Sequence, residues 1–493
     1  MKLYFFSLIF FLFLMPLFIF GEAPALQSLY LEAKFSLITD ELGKKDYSGL
    51  DLSEKLLLLE CLARTSRAAS AEGKINRLLV AFPRSPEVQT TAGILFFSLG
   101  RIQDAKDRIE QALQLSHDFP PALRAKVPLL LYLRNFENAE NCYQRMLTLC
   151  PEWKKSYFMY LLGLEVYSCS QNLRALTRLY KLNANRNKKN NRERSDRMKA
   201  DSNLYKKIGE KQLFRIETSS DKIVFPLNEN SQDKRSNILF ITVKEKTYKM
   251  LLDTGNMAGW IVHNQDLRED LKVKKGGSIL TEIGTESGVM DGYRIYAKSL
   301  KLENLQINDL VGLYVPKPRP DFYDVNLNPV FIRDRVVTID FISKQLFLRT
   351  KEKFDQDLDA VPSHRYTKLP WYGYKSGYIP VQVNTRDGLA MIETGAQDIG
   401  IKLDFAHKLG LSLLPKTRYL PDGKVYTYYK TGMQMAAGPF TFERNAAEVW
   451  PFDRFYDHLT GLTANVYIGP LALAGRFSIT FDPFDNKIIL SRE

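Results

Sequence analysis

The chain has 493 residues, 45% of them apolar and 25% charged, which is ordinary globular material for about three folding units. Its formal charge of +13 is uneven: between Lys181 and Lys211, eleven Lys/Arg face four Asp/Glu. The five His residues (His117, His263, His364, His407, His458) form no His-Glu-x-x-His cluster, and there is no Gly-x-Ser-x-Gly or Gly-rich phosphate loop. Zinc hydrolase, serine hydrolase and nucleotide-binding readings are therefore disfavoured. Cys61, Cys142, Cys150 and Cys169 show no Cys-x-x-Cys spacing, so no metal or redox motif is expected, and no cofactor.

In chain order, Lys2 precedes a nearly continuous apolar stretch from Leu3 to Phe20, broken by Ser7 and Pro16. Residues 1–21 read as a signal peptide, with cleavage after Gly21 or Ala25, or as an uncleaved membrane anchor formed by residues 3–20. Either reading implies export, to the periplasm or in association with the cell envelope. Residues 22–182 then take helical periodicity. Ser85–Asp118 and Phe119–Trp153 look like two copies of a unit of about 34 residues. Pro86 matches Pro120, Leu99-Gly100-Arg101 matches Leu133-Arg134-Asn135, Ala105 matches Ala139, and Ala112 matches Met146. Further copies are expected near Leu50–Pro83 and Ser156–Leu182. These repeats resemble tetratricopeptide repeats, which implies an all-α solenoid that docks a protein partner. The competing reading is a helical spacer without a ligand.

Residues 183–220 read as a basic linker, exposed or forming a solvated helix. An anionic surface would attract it, but without aromatic interleaving or a binding motif no specific nucleic-acid role is expected. Next comes a β-rich lobe, residues 221–352, then a polar connector at 353–370, then a second β-rich lobe at 371–493. The two lobes repeat one another. Met250-Leu251-Leu252-Asp253-Thr254-Gly255 returns 140 residues later as Ala390-Met391-Ile392-Glu393-Thr394-Gly395. A strand, polar turn and second strand lead into each acid. Short helices are expected after each, at Asp266–Val273 and Asp404–Leu411. The lobe ends pair as well, Val336–Leu348 with Ser478–Leu490.

The duplicated strand-acid-Thr-Gly phrase resembles the retropepsin-like family of aspartic proteases, over about Asp221–Glu493. That family has a later apolar-apolar-Gly strand in each lobe. Lobe two supplies it as Val466-Tyr467-Ile468-Gly469, whereas Val325–Phe331 of lobe one contains no Gly. Other departures are Glu393, where the family has Asp, and Asn256. The resemblance implies two lobes forming a pseudo-twofold acid-protease barrel pair. It also implies a catalytic pair, Asp253 and Glu393, and a bracing role for Thr254 and Thr394 beside Gly255 and Gly395.

Two carboxylates held about 3 Å apart share one proton, so the pair can activate a water and polarise a scissile carbonyl without metal or covalent intermediate. The expected function is therefore aspartic-type endopeptidase action on an extended peptide or protein. The extra methylene of Glu393 moves its carboxylate by about 1.5 Å, and a misplacement of about 1 Å can cost roughly a hundredfold in rate. The rival readings are a catalytically degenerate, protease-like peptide-binding module, and a dimer that pairs Asp253 with Asp253. Candidate flaps are Gly276–Tyr293, with Gly284 and Gly288, and Leu420–Gly432, with Gly423 and Tyr426. Trp260, Trp371 and Trp450 are expected in the core, and His263 in packing or at the surface.

Overall fold

The computed structural model describes residues 24–492 other than 66, 189–190, 230–236, 283–288, 303–304, 317–322, 420–424, 451–460 and 463. The expected leader, residues 1–21, lies outside the described residues. Among the described residues no helix is long and apolar enough to cross a membrane. A helical region comes first and a β-rich region follows. The chain divides into two compact units, Met1–Ser170 with Asp453–Thr463, and Gln171–Phe452 with Ala464–Glu493.

The first unit contains helix pairs Leu52–Arg64/Ala68–Ala81, Pro86–Ser98/Ile102–Leu115 and Pro120–Tyr132/Phe136–Leu149, then Tyr157–Cys169. The local chemistry sets the boundaries. Pro86 and Pro120 each occupy the first turn, where a missing N–H costs nothing. Ser85, Asn135 and Ser156 cap the helices they precede, and Asp51 forms a capping box with Glu54. Helix Pro86–Ser98 is buried nearly all round, whereas Ile102–Leu115 buries one stripe: Ile102, Ala105, Ile109 and Ala112. The matched positions Ala105, Ala139, Ala112 and Met146 are all fully buried.

A charged cluster is sealed inside this unit. Glu60 accepts from Arg64 at 2.9 Å and from Arg124 at 2.9 Å to each oxygen, and also from the Tyr30 hydroxyl. Burial opposes its ionisation, but Arg124 and Arg64 hold the Glu60 carboxyl below the usual range. Removing one partner strands a buried charge, at about 3–5 kcal/mol. Arg124→Ala is therefore expected to destabilise the helical unit by about that amount in urea unfolding. Because the folded carboxyl is depressed, Glu60 stabilises fully above the ordinary carboxylate range and loses its contribution as pH falls through the folded value. Glu60→Gln should accordingly flatten the acid limb of the stability profile; an unchanged limb would contradict this account.

The second unit departs from the expected boundaries at two places. The sequence reads as a helical domain to residue 182 and as an exposed linker or solvated helix over residues 183–220. Instead Leu173–Asn187 and Arg192–Ile208 are a packed helix pair within the β-rich unit. Tyr180 stacks on Tyr205 with centroids 5.7 Å apart. Ser195, Met198, Asp201, Ser202, Tyr205 and Ile208 recur at helical spacing and are buried, while the cations lie on the other face. Residues 353–370 are likewise more than a connector. They hold most of helix Lys351–Asp359, which packs Phe354 and Leu358 against Val336 and Ile489, and the strand Tyr366–Pro370.

The strands form two matching sheets and a shared one. In the first lobe β3 (Ile238–Val243), β4 (Lys246–Leu252), β5 (Trp260–Val262), β6 (Lys274–Glu282), β7 (Val289–Leu302), β8 (Leu305–Tyr314) and β9 (Val325–Leu327) are ordered β3-β4-β9-β5-β8-β7-β6, and β1 (Arg215–Glu217) pairs antiparallel with β8 off this path. In the second, β13 (Gly377–Val383), β14 (Arg386–Ile392), β15 (Gly400–Lys402), β16 (Leu414–Tyr419), β17 (Val425–Ala437), β18 (Phe440–Trp450) and β19 (Val466–Ile468) are ordered β13-β14-β19-β15-β18-β17-β16. The order is the same strand for strand. The short helices follow, at Gln265–Asp270 and Leu403–Lys408.

The shared sheet runs β12-β21-β20-β10-β11-β2, built from β2 (Lys222–Pro226), β10 (Val336–Asp340), β11 (Gln345–Arg349), β12 (Tyr366–Pro370), β20 (Ser478–Asp482) and β21 (Lys487–Ser491). At its centre β10 and β20 are antiparallel, with Thr338 opposite Thr480 and their hydroxyls 2.7 Å apart. Residues related by the repeat thus meet each other at a local twofold axis. One apolar core runs through both lobes and includes Trp260 and Trp371; Trp450 is also buried.

Candidate active site

Each acid sits at the end of a strand that leads out of the core. Residues β4 250–252 pair parallel with β9 325–327, and β14 390–392 pair parallel with β19 466–468. The next amide repeats the pattern: Asp253 N donates to Leu327 O at 2.9 Å, and Glu393 N to Ile468 O at 3.0 Å. Both turns close alike, with Asn256 N on Asp253 O and Ala396 N on Glu393 O, each 3.1 Å. Gly255 N donates to Asp253 Oδ1 at 3.1 Å, and Gly395 N to Glu393 Oε1 at 3.0 Å.

Thr254 and Thr394 lock the turns to one another. Thr254 Oγ1 donates to Ile392 O at 2.7 Å and accepts from Thr394 N at 3.0 Å; Thr394 Oγ1 donates to Leu252 O at 2.7 Å and accepts from Thr254 N at 2.9 Å. Both threonines are fully buried. Four reciprocal bonds between buried groups leave little freedom in the spacing of the acids.

The glycines define where the carboxylates go. A Cβ at Gly395 would lie 2.5 Å from Asp253 Oδ1 and 2.7 Å from Glu393 Oε1. The two oxygens are therefore no further apart than the sum of those distances. A Cβ at Gly255 would lie 1.5 Å from Glu393 Oε2, so the longer glutamate arm fills the space that glycine leaves on the opposite turn. Glu393 is buried, whereas Asp253 is partly exposed.

Three asparagines that the sequence reading did not assign complete the site. Asn326 Nδ2 donates to Asp253 Oδ2 at 3.2 Å. Asn328 follows β9 where Gly469 follows β19. Its amide donates to Thr254 O, Asn256 O and Lys375 O at 3.2, 3.0 and 2.8 Å. Lobe one thus braces its turn with a side chain where lobe two needs a glycine: a Cβ at Gly469 would meet the Gln397 carbonyl carbon at 2.7 Å. Asn237 Nδ2 bridges the lobes, donating to Leu252 O and Thr394 O at 2.7 Å each. The expected departure Asn256 is buried and caps its own turn, accepting from Ala258 N at 3.0 Å.

The flap candidates are hairpins β6–β7 and β16–β17, although Gly284, Gly288 and Gly423 lie outside the described residues, as does the side chain of Tyr426. Helix Arg192–Ile208 grips the first hairpin near its base. Asp201 Oδ1 accepts from Gly277 N at 2.9 Å and faces Arg294 Nε at 3.4 Å. The pairing slips between Lys275 and Ser278, and a Cβ at Gly277 would come 2.6 Å from Arg197 O, so glycine permits the close approach. His263 is buried with Nδ1 2.9 Å from Val315 O, a packing role. Among the described residues the cysteines form no disulfide with one another, and no group of metal-ligating side chains occurs.

No protein-family model matches the chain, and no curated protein matches it. Among solved structures it is similar to the crystal structure of basic 7S globulin from soybean, at 9% identity and a TM-score of 0.32, over 55% of this chain and 97% of that one. A likeness this weak carries no argument.

Two outcomes are expected from this geometry. Thr254→Val should orphan the Thr394 N–H and the Ile392 carbonyl and destabilise the β-rich unit by about 2–4 kcal/mol in urea unfolding, a loss below about 0.5 kcal/mol contradicting the bracing role. Asp201→Ala should raise hydrogen exchange at the Gly277 amide well above that of strands in the shared sheet.

Proposed function

We propose that the β-rich unit is an aspartic-type endopeptidase with a retropepsin-like pair of lobes, and that Asp253 and Glu393 form its catalytic pair. The observation that carries this reading is the convergence of both carboxylates on the single side-chain position vacated at Gly395. Repeated strand order, matching turns and reciprocal threonine bonds support it.

In this reading the pair shares one proton and holds a water between its oxygens. The ionised member takes a proton from the water as its oxygen attacks the scissile carbonyl carbon. The protonated member gives its proton to the carbonyl oxygen. The tetrahedral diol collapses as the C–N bond breaks: the pair gives its proton to the leaving nitrogen and takes one back from a diol hydroxyl, so that a carboxylic acid and an amine leave and the pair again holds one proton. The pair titrates as a unit, so acid and base are roles of the pair. Asn326 holds the outer oxygen of Asp253, and the two glycine amides hold the inner ones. The substrate is an extended peptide bonded through its backbone beneath the flap hairpins.

The helical repeats resemble tetratricopeptide repeats and supply a docking surface for a protein partner or substrate. Residues 1–21 direct export to the periplasm or cell envelope, as a cleaved signal or an anchor.

Asp253→Asn and Glu393→Gln are each expected to lower cleavage of a denatured protein by about 10²–10⁴-fold or more. Glu393→Asp is the sharper variant. Because Glu393 reaches the Gly255 side, shortening it should cost roughly a hundredfold in kcat with little change in KM. Wild-type protein that binds peptide but cleaves nothing between mildly acidic and neutral pH would instead establish the peptide-binding module.

A further inference from the structure

Away from the acid-bearing turns, the helix pair Leu173–Asn187 and Arg192–Ile208 encloses a half-open cavity of about 610 Å³. That is within the range of small-molecule sites. Leu173, Ser202 and Tyr205 are its buried lining, with Thr177 half-buried beside them. The rim is cationic. Arg174, Arg178 and Lys181 are spaced four and three apart, which puts them on one face of the first helix. Lys199 and Lys206, seven apart, lie on one face of the second. Five cations thus line one cavity, and its one carboxylate, Glu210, is paired with Arg174.

Like charges at these spacings repel, and rows facing each other across a groove repel further. Lys199 is offset by Asp196 at 2.9 Å. Arg178, Lys181 and Lys206 have no carboxylate within ion-pair distance among the described residues. An anion between the rows would relieve this repulsion. Arginine and lysine together suit clustered phosphate oxygens, the guanidinium as a fork and the ammonium as a point charge.

We propose that this cavity binds a multiply charged phosphate group of small-molecule size, either a free polyphosphate or the phosphorylated headgroup of a lipid. It lies on the helix that holds the Gly277 hairpin, and it is independent of the peptidase reading. The phosphates sit between the two basic rows, and in a lipid headgroup the less polar part faces Leu173 and Tyr205.

The test is calorimetric titration of the full chain with inorganic tripolyphosphate, beside flotation with vesicles of phosphatidylcholine alone or containing phosphatidylinositol 4,5-bisphosphate. The proposal expects saturable one-to-one binding of one or both phosphate probes. It expects a tenfold or greater loss in the triple variant Arg178→Glu, Lys181→Glu, Lys206→Glu, whose exposed positions leave the fold intact by circular dichroism. Lys301→Glu, an exposed control elsewhere, should leave binding unchanged. Tripolyphosphate binding assigns a free polyphosphate, and binding to the phosphorylated vesicles alone assigns a headgroup. No saturable binding to either, equal loss in the control, or stronger binding to a single-stranded oligonucleotide at every salt concentration overturns the proposal.

Discussion

The reciprocal hydrogen bonds between Thr254 and Thr394 are the constraint on which the β-rich unit depends. Each hydroxyl donates to the backbone of the opposite lobe and accepts an amide from the other threonine. The bonds are buried, so neither lobe can withdraw without leaving donors and acceptors unmet. They fix the acid-bearing turns at one separation. The shared sheet repeats this reciprocity at Thr338 and Thr480, which face each other across β10 and β20. Threonine pairs thus join the two halves of the repeat at the turns and again in the central sheet.

Within that frame the lobes are not identical, and their differences compensate one another. Lobe one carries the shorter acid and adds amides: Asn326 on the carboxylate, Asn328 behind the turn, and Asn237 across to lobe two. Lobe two carries the longer acid and keeps the glycine at 469. The extra methylene does not displace the near oxygen from its glycine amide, since Gly395 N reaches Glu393 Oε1 as Gly255 N reaches Asp253 Oδ1. The added length goes sideways, into the space over Gly255.

Much of this was legible in the residues because duplication is legible. The repeated apolar-acid-Thr-Gly phrase, the hairpins before it and the strand pairs closing each lobe predicted matching sheets. The helical period from Pro86 to Pro120 predicted the helix pairs. The helix Arg192–Ile208 was less visible. Its charge dominated the reading, while the buried stripe through Met198, Asp201 and Tyr205 mixes polar and apolar types. The asparagines were also hidden, because their role depends on which carbonyls a fold brings within reach. A signal existed for Asn328: it stands where the repeat calls for glycine, and asparagine can satisfy backbone groups that glycine leaves alone.

The central claim is that both acids hold a common solvent molecule. A high-resolution crystal structure of the chain, with the acid-bearing turns open to solvent, tests it directly. The account predicts one ordered water within hydrogen-bonding distance of both Asp253 and Glu393, displaced by the hydroxyl of a bound transition-state analogue. Carboxylates that turn apart, each with its own water and no shared one, would contradict it.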